Sequence, residues 1–148
     1  MRILVTGGAG FIGSHIVEHF HQQAEVRVLD NLRSGYQKNI DPFNVHFING
    51  SVMDPEILKE AMDGVDYVFH LAAMISVPES MHKPVECVNI NTIGTLNVLE
   101  AAAQAGVKKL CLSSSAAIYG DNPTVPKLET MFPEPKSPYA ETKLSGEY

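Results

Sequence analysis

Tryptophan is absent, cysteine is confined to two positions in 148 residues, and cationic side chains are outnumbered by anionic ones, eleven against seventeen. Two cysteines, Cys87 and Cys111, cannot form a disulfide framework for a small secreted fold. They lack metal-ligand or redox spacing, so both are read as reduced thiols in the core. The net charge of −6, with no stripe of Lys and Arg, excludes the electrostatics of a nucleic-acid binder. No apolar run approaches the roughly 20 residues that span a bilayer, and the first residues run straight into a strand motif without a signal-peptide pattern. Cytoplasmic localisation with no membrane partner is therefore expected. Internal repeats and low-complexity segments are also missing. What remains is 45% hydrophobic and 19% charged, the balance of one globular domain with a sizeable core.

Short β-branched runs alternate with helical patterns, which predicts α/β architecture with a parallel sheet and helices on both faces. Strands are expected at Arg2–Thr6, Glu25–Leu29, Val45–Ile48, Asp66–Leu71 and Lys109–Leu112. Ile12, Ile16, Val17 and Phe20 form one predicted helical stripe. Asp54-Pro55-Glu56 reads as a helix start, with Ile57, Leu58, Ala61 and Met62 as its buried face. A long helix is predicted from about 84 to 106, burying Val85, Val88, Thr92, Thr95, Leu99 and Ala102 and stopping at Gly106. Five of the nine prolines lie between Pro123 and Pro138, which predicts a long loop.

After the first strand comes Thr6-Gly7-Gly8-Ala9-Gly10-Phe11-Ile12-Gly13. Gly7 permits the tight turn, Gly10 lets backbone approach a pyrophosphate, and Gly13 lets helix and sheet pack closely. The helix N-terminus then offers N–H groups to the anion. The second strand runs up to Asp30, a carboxylate suited to the ribose hydroxyls of an adenosine. No Lys-Ser or Lys-Thr follows the last glycine, so this is not a nucleoside-triphosphate loop. Asp30 repels a 2′-phosphate and favours NAD over NADP, although Arg33 lies nearby. His15-Ile16-Val17-Glu18-His19 matches the H-x-x-E-H zinc pattern. It lies beside the stripe of a helix whose N-terminus already serves the glycine loop, so a solvated surface pair is the preferred reading, with no metal.

The fifth predicted strand leads into Ser113-Ser114-Ser115, placing hydroxyls at the carboxyl edge of the sheet, where open α/β sheets bind ligands. Tyr139 and Lys143 stand four apart, one turn on the same helix. A nearby ammonium and a positively charged oxidised nicotinamide favour the phenolate, making Tyr139 a usable general base.

These motifs, with His70-Leu71-Ala72-Ala73, Asn91-Thr92-Ile93-Gly94-Thr95 and Ser113-Ser114-Ser115-Ala116-Ala117-Ile118-Tyr119-Gly120, resemble the extended short-chain dehydrogenase/reductase family of NAD-dependent sugar-nucleotide epimerases and dehydratases. The likeness is greatest to the UDP-hexose 4-epimerases, including those that accept N-acetylhexosamines. The resemblance implies a Rossmann-type doubly wound sheet, truncated before the last strands and the substrate domain, with residues 1–148 forming the NAD-binding portion of a longer homodimeric enzyme. The end at Tyr148, inside a predicted helix, is read as a cut, and the 148-residue chain alone is expected to be inactive. The implied catalytic residues are Ser115, Tyr139 and Lys143. The implied cofactor residues are Gly7, Gly10, Phe11, Ile12, Gly13, Asp30, Asn31, Ser51, Val52, Leu71, Ala72, Ala73, Asn91, Tyr139 and Lys143. The reaction implied is epimerisation of a UDP-sugar at C4 through a transient 4-keto sugar.

Two positions depart from the family pattern: Ser51 stands where an Asp commonly reaches the adenine, and Ile75 where many epimerases carry Lys. Ala116-Ala117 stands where dehydratases carry an acidic pair, which disfavours dehydration and the related decarboxylation. Reduction of a nucleotide sugar and a non-catalytic NAD-binding module remain the alternatives.

Overall fold

The β-branched and apolar runs become five strands in the computed structural model, which describes residues 1–148: β1 (Arg2–Thr6), β2 (Glu25–Asp30), β3 (His46–Asn49), β4 (Tyr67–His70) and β5 (Lys109–Leu112). All pair in parallel, in the order β3-β2-β1-β4-β5. The chain divides into two units, one of Met1–Ala72 with Thr95–Ser113 and one of Ala73–Gly94 with Ser114–Tyr148.

In the first unit the sheet is apolar on both faces. Ile3, Val5, Val26 and Val28 pack with Val17 of α1 (Phe11–Phe20) on one side. On the other, Leu4, Leu29 and Val68 pack with Leu58, Ala61 and Met62 of α2 (Pro55–Met62) and with Val98 and Ala102 of α5 (Gly94–Gln104). Such two-sided burial is what a parallel sheet between helix layers requires. The β2–β3 connection has no α-helix. It covers the α1 face with Ile40 and Phe43 around a 3-10 turn at Gln37–Asn39. Arg27 is a buried strand residue whose Nη1 donates to the carbonyls of Glu60 and Ala61 at 3.0 and 3.2 Å, supplying the C-terminal end of α2 with donors from within the sheet.

Helix α2 begins as its sequence predicts. Asp54 is the N-cap, its carboxylate accepting from Glu56 N and Ile57 N at 3.0 and 3.2 Å, with Pro55 at the first helical position. Asp54→Ala is expected to cost about 1 kcal/mol, read as a lower Tm, with Asp54→Asn close to the parent chain.

The second unit holds α3 (Val77–His82), α4 (Pro84–Val88), a π turn at Asn89–Ile93, a 3-10 turn at Ala116–Tyr119 and α6 (Pro138–Ser145). No helix or strand forms between Gly120 and Ser137, as the prolines there dictate.

Three expectations are corrected. The helical run from Pro84 to Gln104 is interrupted by the π turn, whose wider winding rotates the buried face. Val85, Val88 and Leu99 are exposed, whereas Cys87, Asn91, Thr95, Val98 and Ala102 are buried. Ile12 is 58% exposed because it lies in the first turn of α1, next to the glycine loop, ahead of the part of the helix that meets the sheet. Cys111 is exposed, on the edge strand β5; Cys87 is buried as expected. No helix is long and apolar enough to cross a membrane.

Candidate active site

Parallel pairing brings the carboxyl ends of β1, β2, β3 and β4 to one edge of the sheet in the first unit. That places the glycine loop after Thr6, Asp30, the Ser51 turn and Leu71-Ala72 along the same edge. Gly7 has a left-handed φ of +71°, and a Cβ there would lie 2.7 Å from the backbone nitrogen of Ala72. A Cβ on Gly13 would collide with the carbonyl oxygen of Gly7 and lie 2.7 Å from Gly8 Cα. Both positions therefore demand glycine on steric grounds. Gly10 is the N-cap of α1 and supplies no side chain to the helix end, and no acidic residue lies in the first turn. The resulting cradle of bare backbone at a helix N-terminus fits a pyrophosphate.

Asp30 is buried and braces this loop. Its two carboxylate oxygens accept from Ala9 N at 3.0 Å and Leu32 N at 2.8 Å. A carboxylate has about four lone-pair sites, so capacity remains for sugar hydroxyls. Asn31 Oδ1 accepts from Arg33 N at 3.1 Å, turning the chain away from β2. Ser51 Oγ accepts from Met53 N at 3.2 Å, while the Val52 side chain belongs to the core and leaves only backbone for a ligand. Phe11 is exposed and meets His15 edge-on. His15 Nδ1 lies 3.1 Å from Glu18, and no group of three or more His, Cys, Asp or Glu side chains is placed to hold a metal ion.

A feature missed from sequence lies beneath this edge. The buried His70 ring sits with Nδ1 2.6 Å from Thr6 Oγ1 and Nε2 3.0 Å from Thr95 Oγ1, and Ala72 N donates to Thr6 Oγ1 at 3.3 Å. The strand ends that carry the glycine loop and Leu71-Ala72 are thus tied through one imidazole. The sequence signal was a histidine inside an apolar strand, where only a partnered ring is stable.

The second unit carries Ser115, Tyr139 and Lys143. Ser115 N-caps the 3-10 turn, its Oγ accepting from Ala117 N at 3.2 Å, and Ser114 Oγ donates to Glu147 in a short bond. Tyr139 and Lys143 share α6 one turn apart, with Tyr139 half-buried and Lys143 buried. Burial pushes the Lys143 ammonium below its ordinary range, a shift partly opposed by Cys87. A cation whose folded-state pKa is lowered costs stability while charged, so the unfolded chain binds more protons through the alkaline window between the folded and unfolded values, and stability contributed at this position rises with pH there. Lys143→Met is accordingly expected to raise Tm near neutral pH, with the gain shrinking as the pH climbs toward 10; thermal melts across that range check it. Asn91 is buried with its amide engaged inward: it accepts from Met74 N at 2.7 Å and donates to Met74 O at 3.1 Å and Thr142 Oγ1 at 3.0 Å. Ala73 begins the same segment.

The profile of the NAD dependent epimerase/dehydratase family matches residues 3–148. The chain belongs to this family. Within the epimerase/dehydratase family it is 43% identical over 150 residues to a UDP-glucose 4-epimerase of Lacticaseibacillus casei, a match covering 99% of this chain and 45% of that protein. Among solved structures it resembles the Thermus thermophilus UDP-glucose 4-epimerase in complex with NAD, at 45% identity and a TM-score of 0.91, covering 99% of this chain and 49% of the other. It also resembles a UDP-N-acetylglucosamine 4-epimerase from Methanobrevibacter ruminantium M1 in complex with UDP-N-acetylmuramic acid, at 40% identity and a TM-score of 0.92, covering 99% and 48%. The chain spans about half the length of the epimerases it matches.

Proposed function

We propose that this chain carries the NAD site and the acid–base groups of an NAD-dependent UDP-sugar 4-epimerase, acting in the cytoplasm as a homodimer. The observation that carries the reading is the pairing on α6 of a half-buried phenol, Tyr139, with a buried amine, Lys143, one turn away. It is supported by the identity to named 4-epimerases and by a glycine loop whose Gly7 and Gly13 allow the close backbone packing behind the bare N-terminus of α1.

NAD would be held by the backbone of Gly7–Gly13 and by Asp30, and it supplies a reversible hydride acceptor for the sugar C4. Tyr139 as phenolate takes the proton of the sugar 4-hydroxyl, and Ser115 donates to the same oxygen. Lys143 would stabilise the phenolate and would hold the ribose hydroxyls of the cofactor. The resulting 4-keto sugar turns over, and Tyr139 returns its proton to the oxygen when C4 is reduced on the opposite face. Protons and electrons balance over the cycle, and no metal is required.

Ala116 and Ala117 open the 3-10 turn after Ser115, which leaves that turn's start without the acid and base that elimination of water needs. Exposed Val85 and Val88 on α4, and exposed Leu96 and Leu99 on α5, support the homodimer.

The test is an assay with UDP-glucose, UDP-N-acetylglucosamine and UDP-glucuronate, scoring epimer formation and net NADH together with NAD binding. Epimer without net NADH is the expected result for the whole enzyme. A 4-keto-6-deoxy sugar or stoichiometric consumption of NAD(P)H overturns the epimerase reading.

A further inference from the structure

Tyr139 is the second residue of α6, in the turn of a helix that frays first because its N–H groups have no intrahelical acceptors. A base that must meet one hydroxyl in one geometry is poorly served by a fraying turn. Here both polar groups of its backbone are fastened to buried hydroxyls. Tyr139 N donates to Ser80 Oγ at 3.2 Å, and Ser80, with no exposed surface, donates in turn to Val77 O at 2.7 Å. Tyr139 O accepts from Thr142 Oγ1 at 2.8 Å, and Thr142, 3% exposed, accepts from Asn91 Nδ2 at 3.0 Å. Asn91 is itself anchored on both sides of the Met74 peptide. Ser137 takes the next N–H, that of Ala140, at 3.1 Å, and Pro138 fixes the backbone ahead of Tyr139 without an N–H of its own. The chain therefore spends two fully partnered buried hydroxyls, brought from 59 residues upstream and three residues downstream, on the backbone of one residue.

We infer that Ser80 and Thr142 are positioning residues for the base, a clamp that holds the Tyr139 backbone so that its phenol has one approach to the substrate hydroxyl. The inference rests on the reading of Tyr139 as the base. Ser80 and Thr142 act through Tyr139 and touch neither sugar nor cofactor, so their loss falls on the rate of proton transfer and leaves binding in place.

The experiment compares Ser80→Ala, Thr142→Val and Thr142→Ser with Tyr139→Phe in the whole enzyme, using UDP-glucose and NAD. Ser80→Ala and Thr142→Val are expected to lower kcat by about 10- to 100-fold, with KM for UDP-glucose and Kd for NAD within about twofold of the parent. Thr142→Ser keeps the hydroxyl and is expected to restore most of kcat. Amide exchange measured without substrate is expected to quicken at Tyr139 in Ser80→Ala and to stay unchanged in the sheet. Should Ser80→Ala not fold, the nearly isosteric Thr142→Val and Thr142→Ser pair decides alone. Unchanged kcat in the clamp variants alongside an inactive Tyr139→Phe overturns the clamp and leaves the base standing. Losses of kcat, NAD affinity and Tm in step, or a Thr142→Ser as impaired as Thr142→Val, also overturn it as a general packing effect. An active Tyr139→Phe removes the base, and the clamp's purpose with it.

Discussion

Tyr139→Phe is expected to lower kcat by about 10³-fold while NAD binds as before. The substitution deletes one oxygen and leaves the ring, so the packing of a half-buried side chain near the start of α6 changes little. Its hydrogen bonds with Ser80 and Thr142 are made by backbone atoms and survive the change. What disappears is the only group on α6 proposed to carry a proton to and from the substrate; Lys143, one turn on, is buried, and its proposed part is to stabilise the phenolate. The measurement is steady-state epimerisation together with NAD titration. Activity within about tenfold of the parent, below the roughly 10²-fold that a general base contributes at the least, would remove Tyr139 from the mechanism.

The second large effect is expected at Gly7. Gly7→Ala places a Cβ 2.7 Å from Ala72 N and 2.8 Å from Leu71 C, both backbone atoms that cannot swing aside, and it forces an L-residue to a φ of +71°. The left-handed conformation alone costs about 1 kcal/mol, and the steric conflict adds to it by prying the loop from the end of β4. NAD binding should fall below detection and Tm should drop by several degrees, measured by titration and by thermal melt. Gly106 is the control: it also has a positive φ, but a Cβ there meets nothing within 4 Å. Gly106→Ala is therefore expected to lower Tm slightly and spare NAD binding. A Gly7→Ala protein that binds NAD normally would dissociate the loop from the cofactor.

Strands and helix starts were legible because their causes are local. β1 and β5 fall where the apolar runs lie, and α2 starts where Asp54 and Pro55 place it. The errors arose where a long-range or geometric cause acts. A period of 3.6 residues carried from Pro84 to Gly106 is displaced by the π turn at Asn89–Ile93, and nothing in the apolar pattern announces that widening. Cys111 is apolar by composition, but its exposure depends on β5 being last in the strand order. At the site, the glycine loop, Asp30, Tyr139 and Lys143 were visible as spacing. The supports were not: Ser80 lies 59 residues from Tyr139, Asn91 lies 51 from Thr142, and the His70 ring links strand ends 64 residues apart. Only folding brings those partners together, although a serine or threonine on the apolar side of a helix was a signal worth reading.

Asp30 ties the fate of two properties that are usually adjusted separately. Its oxygens hold Ala9 N and Leu32 N, so the residue proposed to discriminate at the ribose is also the knot of the loop behind it. Exchanging it for a small neutral residue to admit a phosphorylated ribose would untie both backbone strands in the same step. Retuning the coenzyme in this lineage therefore requires a compensating change that re-ties Ala9 before, or together with, the loss of the carboxylate.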